Sequence, residues 1–142
     1  MKFKFYLIII LFLILDQITK FYLQYKNFTI ISKIFLVKYS ENPGIIFGIF
    51  AYNKFVIIIL PILITIGLFI YYLKNKKNKL IEIGTSLIIA GLLANIIDRI
   101  RLGYVIDWIF VPIYPKFNII STNIADISLM TGVILLLYYN LK

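Results

Sequence analysis

The chain has 142 residues, 62 % of them apolar and 15 % charged, and a formal charge of +9 from 15 Lys and Arg against 6 Asp and Glu. Soluble domains run at about 45–50 % apolar and about 25 % charged, and a fold of this length has too little interior to hide the difference; a soluble globular protein is excluded. Neither Cys nor His occurs, which removes disulfides, thiol and imidazole chemistry, lipidation on cysteine and the usual zinc ligands.

The first apolar run, 5–23, is uninterrupted to Leu15 and then carries Asp16-Gln17-Ile18-Thr19-Lys20. Lys2 and Lys4 ahead of it resemble the start of a signal peptide, but no small-residue cleavage site follows, so a retained membrane helix is expected. Between Lys26 and Lys54 the pattern is less helical. Phe28-Thr29-Ile30-Ile31 and Ile34-Phe35-Leu36-Val37 are β-prone and Glu41-Asn42-Pro43-Gly44 is a turn signal, which predicts a small sheet at the membrane surface.

A second run, 55–73, has 19 residues without a charge, about 28 Å of helix and close to the thickness of a hydrocarbon core. Pro61 inside it is tolerated in a membrane helix. The third run spans about 80–97, with Glu82 near its start, and the fourth about 122–139. The expected architecture is an all-α bundle of four transmembrane helices with a small extracytoplasmic β-sheet, forming one integral membrane domain over 1–142.

Basic residues mark orientation. Lys74, Lys76, Lys77 and Lys79 crowd the short link between the second and third runs, which places that link and both termini in the cytoplasm. The bases border apolar segments, suiting anionic headgroups better than nucleic acid. On this topology Asp16 and Lys20, Asn95, Asp98 and Arg99, Asp107, and Asn123 with Asp126 all fall toward the outer face, gathering four of the six acids in one layer. Ionisable groups at such depth are costly and mark function.

Asp16 and Lys20 are i, i+4 with the acid first, the favourable order for a pair within one helix. Asn95, Asp98 and Arg99 are i, i+3, i+4 and are expected on one face, where Asp98 and Arg99 would neutralise one another. Asp107 and Asp126 have no base beside them in sequence. Two carboxylates meeting at an apolar boundary share a proton; one can deprotonate water while the other protonates a scissile carbonyl oxygen, without His, Cys or metal. The same pair could serve a proton or cation path. A Ser-Lys peptidase using Ser86 and Lys20 is disfavoured, because the two fall toward opposite ends of their spans.

Five strings occur in order: Asp16-Gln17-Ile18-Thr19-Lys20, Asn42-Pro43-Gly44-Ile45-Ile46-Phe47-Gly48, Asn95-Ile96-Ile97-Asp98-Arg99, Gly103-Tyr104-Val105-Ile106-Asp107 and Asn123-Ile124-Ala125-Asp126. Together they resemble the lipoprotein signal peptidase (signal peptidase II) family over nearly the whole chain. The resemblance implies an intramembrane aspartic endopeptidase with Asp107 and Asp126 as its catalytic pair. It implies substrate contacts at Asn42, Gly44, Asn95, Arg99 and Asn123, and a supporting role for Asp16, Lys20 and Asp98. It further implies cleavage of bacterial prolipoproteins just before the diacylglyceryl-modified cysteine, at the outer face of the cell (inner) membrane, with no cofactor, no metal and no obligate protein partner. The chain departs from the family pattern at Ala94, where Gly is common, at Thr122, where an aromatic is usual, and at Ile127, where Ser is usual and Ser128 stands one place later.

Overall fold

The computed structural model describes residues 2–24, 30–31, 36–44, 53, 55–75, 77–111 and 120–142. Among the described residues four helical spans are long and apolar enough to cross a membrane, and they correspond to α1 (Lys2–Gln24), α2 (Leu60–Asn75), α3 (Lys79–Leu102) and α4 (Ile124–Leu141). A π-helical turn, Phe55–Ile59, runs directly into α2. Pro61, the second residue of α2, follows directly on that turn, and a local π adjustment is one way a membrane helix accommodates proline.

Helix α3 is the axis of the bundle. In its most apolar stretch 72 % is buried, against 17 %, 11 % and 17 % for the spans containing α1, α2 and α4. It packs on all three of the others, which turn rows of Leu, Ile and Phe outward, as lipid-facing helices do. Asn78 caps its start, accepting from the backbone N–H of Leu80 and Ile81, and Gly103, at φ 86°, ends it in the left-handed region that suits glycine. The tightest seam is α3 against α4. A methyl at Gly84 would meet Leu136 Cδ2 at 2.9 Å, and one at Gly91 would run into the Ala125 carbonyl, so glycine is what lets these backbones approach.

The sheet has four antiparallel strands in the order β1 (Ile30–Ile31), β2 (Leu36–Asn42), β3 (Val105–Val111), β4 (Ile120–Thr122). Ser40 pairs with Asp107 and Asn42 with Val105, with an irregularity between Val37 and Ser40. The expectation of a sheet within 26–54 thus captures half of it. Glu41 and Asn42, expected in a turn, close strand β2, and only Pro43 and Gly44 leave it. Strand β4 takes Thr122 out of the fourth span, which starts at Ile124, and the third span runs to Leu102 rather than 97. The proposed strand residues Phe28, Thr29, Ile34 and Phe35 lie outside the described residues.

Candidate active site

One end of the bundle holds a buried polar cluster assembled from α1, α3, α4 and the sheet. Lys20, fully buried near the end of α1, lies one turn from Asp16, and its Nζ sits 2.7 Å from Asp16 Oδ2 and 2.8 Å from Asp98 Oδ2 on α3. It also donates to Asn95 Oδ1 at 3.0 Å. A buried lysine between two carboxylates is a compensated arrangement, whereas any one of the three alone would be costly.

The acids do more than neutralise the lysine. Asp16 Oδ1 accepts from the backbone N–H of Ala125 at 2.8 Å, meeting a free donor in the first turn of α4. Asp98 accepts from the Ile106 N–H at 3.3 Å and from Gln17 Nε2 at 2.9 Å, fastening α3 to β3 and α1. The expected Asp98–Arg99 pair is not formed: among the described residues the ion pairs are those of Lys20 with Asp16 and Asp98. Consecutive residues on a helix point about 100° apart and do not face each other, so Asp98 turns to α1 while Arg99 donates to the Gly44 carbonyl at 2.9 Å. Asn95, Asp98 and Arg99 therefore serve two directions, not one face.

Strand β3 presents Asp107, fully buried, one residue beyond the Ile106 contact. Its Oδ2 accepts from Asn42 Nδ2 at 3.1 Å and Ser121 Oγ at 3.0 Å, and its Oδ1 from Asn123 Nδ2 at 2.8 Å. Asn42 is itself oriented by the Gly44 N–H, which donates to its Oδ1 at 3.1 Å. Asn123 is the N-cap of α4 and accepts from the Asp126 N–H at 2.9 Å. Asp126, in the first turn of α4, accepts from Asn95 Nδ2 at 2.8 Å and Thr122 Oγ1 at 3.3 Å. The two aspartates without sequence-adjacent bases are thus joined through one asparagine, and the positive end of a helix favours negative charge beside them.

Of the residues singled out from sequence, Asp16, Lys20, Asn42, Asn95, Asp98, Asp107, Asn123 and Asp126 belong to one hydrogen-bonded cluster, and Arg99 and Gly44 extend it. A cavity of about 490 Å3 opens beside this extension, lined by Pro43, Ile57, Ile58, Arg99, Leu102 and Tyr104 among others. Three partners escaped the sequence reading: Gln17, Ser121 and Thr122. Gln17 was legible as a polar residue beside Asp16; Ser121 and Thr122 were not, because β4 straddles position 122, where the last span was expected to start. Thr122, a departure from the family pattern, supplies a hydroxyl to Asp126. Ser128 bonds to the carbonyls of Leu87 and Ala125, while Ile127 faces outward and Ala94 is fully buried. Ser86 Oγ donates to the Ile83 carbonyl of its own helix and Lys20 is held by acids, which disposes of the Ser-Lys arrangement.

A multi-pass membrane protein with a buried acid cluster joining α1, α3, α4 and the sheet narrows the class to membrane enzymes and ion-coupled proteins. Comparison with known proteins decides between them. Residues 8–142 match the sequence profile described as Signal peptidase (SPase) II. A "Lipoprotein signal peptidase" of Halothermothrix orenii is 34 % identical, covering 94 % of this chain and 92 % of its own, and one of Wigglesworthia glossinidia brevipalpis is 41 % identical over 97 % and 94 %. A bacterial membrane enzyme solved by the in meso method at 2.3 Å resolution is similar with a TM-score of 0.87 and 32 % identity, over 97 % of this chain and 87 % of that one. A second, at 1.9 Å, gives 0.85 over 98 % and 93 %. The chain belongs to the signal peptidase II family, and is a peptidase by that membership.

Proposed function

We propose that the protein is an aspartic endopeptidase of the cell membrane that removes signal peptides from diacylglyceryl-modified prolipoproteins, cutting just before the lipidated cysteine. Asp107 and Asp126 are its catalytic pair. The observation that carries the reading is Asn123: its Nδ2 donates to the Asp107 carboxylate while its Oδ1 accepts from the Asp126 backbone N–H, so one cap residue ties the Asp107 carboxylate to the turn of helix that carries Asp126. The pair holds one proton between them. In the reaction the ionised carboxylate takes a proton from water as the water oxygen bonds to the scissile carbonyl carbon. The protonated carboxyl gives its proton to the carbonyl oxygen. Collapse of the resulting gem-diol breaks the C–N bond, and the amine leaves with a proton from the pair.

Asn42, Gly44, Asn95, Arg99 and Asn123 are the substrate contacts, with Arg99 opening onto the cavity, and Asp16, Lys20 and Asp98 hold the helices that carry the acids. The substrate is itself an apolar segment and arrives by lateral diffusion, with its diacylglycerol left in lipid. Basic density in the 74–79 link supports cytoplasmic termini and acids near the outer face.

The test is cleavage of a diacylglyceryl prolipoprotein by purified protein in detergent, with the new N-terminus sequenced. Asp107→Asn and Asp126→Asn, nearly isosteric but unable to exchange the proton, should each abolish turnover. The double variant should be hardly worse than either single, because groups acting as a unit are not additive. A single variant that keeps near-normal turnover refutes the assignment.

A further inference from the structure

The opposite end of the bundle holds a second pair of buried polar groups for which the proposed reaction has no use. Glu82, on α3, is 4 % exposed and Tyr72, on α2, is 1 % exposed. Neither Glu82 Oε1 nor the Tyr72 hydroxyl has a hydrogen-bond partner among the described residues, and the two stand at the same end of the packed α2–α3 pair, Tyr72 in the last turn of α2 and Glu82 in the first turn of α3. The Tyr72 ring is fixed in place by Phe5, stacked on it at a centroid distance of 3.7 Å. Glu82 lies in the first turn of α3, where the helix N-terminus favours an anion. That explains why an acid is tolerated there. It does not explain two buried polar groups left unpartnered, which normally cost free energy.

Position supplies the missing half. Glu82 is thirteen residues before Asn95, about 20 Å along a helix, so it lies that far from the level of the acid cluster. A signal peptide has an apolar stretch of about 7–15 residues behind a positively charged n-region, or about 10–22 Å as helix. A substrate with its cleavage site at the acids therefore brings its basic n-region to the depth of Glu82. The cavity lined by Ile57, Ile58, Arg99 and Leu102 marks one end of the α2–α3 seam, and Tyr72 with Glu82 marks the other. Around that second end the described lysines Lys74, Lys77 and Lys79 are exposed and repel a basic segment, so Glu82 is the group there that attracts one.

We propose that Glu82 and Tyr72 form a cation site that receives a lysine or arginine side chain from the n-region of a signal peptide, the carboxylate pairing with the charge and the phenol oxygen accepting a second hydrogen bond. The site rests on the signal-peptide reading above and measures the substrate's apolar length from the end opposite the cut.

The experiment measures binding separately from cleavage, so that failure of the catalytic assignment leaves it interpretable. A fluorophore-labelled precursor peptide with a lysine in its n-region, and its Lys→Gln counterpart, are titrated against the protein in nanodiscs of phosphatidylglycerol and phosphatidylcholine. Glu82→Gln should weaken binding of the lysine peptide about tenfold, the scale of one charge-assisted hydrogen bond, and leave the glutamine peptide unchanged. Tyr72→Phe, which keeps the ring, should give a smaller loss with the same peptide dependence. Equal losses for both peptides, or no loss for either, overturn the proposal. So does an effect of Glu82→Gln that arises only when phosphatidylethanolamine is added and ignores peptide charge, since the site would then belong to a lipid ammonium. Thermal stability of Glu82→Gln in detergent provides the control for folding, because removing an unpaired buried charge should not lower it.

Discussion

Replacing Lys20 by Met removes the cation from the centre of the polar cluster while keeping an unbranched side chain of similar length. In the native arrangement the ammonium lies 2.7 Å and 2.8 Å from two carboxylates and donates to Asn95, all of it out of contact with solvent. Without it, Asp16 keeps the Ala125 N–H and Asp98 keeps Gln17 and the Ile106 N–H, so each acid retains a donor but loses its counter-charge. Breaking one side of a buried pair typically costs about 3–5 kcal/mol, and here two acids lose the same partner, so the upper part of that range is expected. For a chain of this length that amounts to a fall in melting temperature on the order of 10 °C. The assay is built in: Trp108, the one tryptophan, sits on β3 beside Asp107, and its fluorescence in detergent reports loss of the strand that Asp98 fastens. Asp98→Asn added to Lys20→Met should recover part of the loss by removing one of the stranded charges. A melting temperature within about 2 °C of the parent would refute the claim that this lysine holds the cluster together.

Gly91→Ala should destabilise the protein by about 1–3 kcal/mol, the usual cost of overpacking. It should also depress turnover in the folded fraction, since the added methyl pushes on the Ala125 carbonyl next to Asp126; the check is specific activity after correction for folded protein. Cysteines introduced as Lys77→Cys and Asn27→Cys should label from opposite sides of an intact membrane, Asn27→Cys from outside; labelling from one side reverses the topology argument. Burial, followed by its hydrogen bonds with Tyr104 and Glu41, pushes the Tyr39 phenol up from its ordinary 10.0. Its bond to Glu41 is therefore complete below that value and is lost only as pH rises through the raised one. In an alkaline absorbance titration Tyr39→Phe should lose no tyrosinate amplitude up to about pH 11, and loss of one tyrosine's share near 10 would show the phenol to be free.

The spans were legible because hydropathy over about 19 residues is a strong signal and the bilayer tolerates no irregular backbone at its core. Their ends were less so: Leu102 continues α3 past the charged pair at 98–99, because those charges are met from neighbouring elements. The sheet was half-visible. Strand β2 announces itself by β-prone residues, whereas β3 and β4 flank a segment that reads as a loop, and three residues of β4 are too few to separate from an apolar helix start. Asp107 and Asp126 stood out by lacking a base nearby, a statement about sequence alone. Their actual partners, Asn42, Ser121, Asn123, Asn95 and Thr122, come from 3 to 65 positions away, and only folding brings them in. The Asp98–Arg99 pairing failed for a reason available beforehand, the angle between adjacent residues on a helix.

The bond from Asp16 to the Ala125 N–H joins positions 109 apart, and it sets an order on biogenesis. A lone Asp or Lys entering the bilayer costs about 2.5–3.5 kcal/mol at the centre of a span, but Asp16 and Lys20 enter together, one turn apart, as a self-neutralised unit. Asp98 arrives with the third span and finds that lysine waiting. Asp126 comes last, on the helix whose first turn Asp16 receives, so the proposed catalytic pair cannot be assembled while the chain is still being threaded into the membrane. An enzyme that cuts membrane-embedded peptides is thereby kept silent until its own insertion is finished.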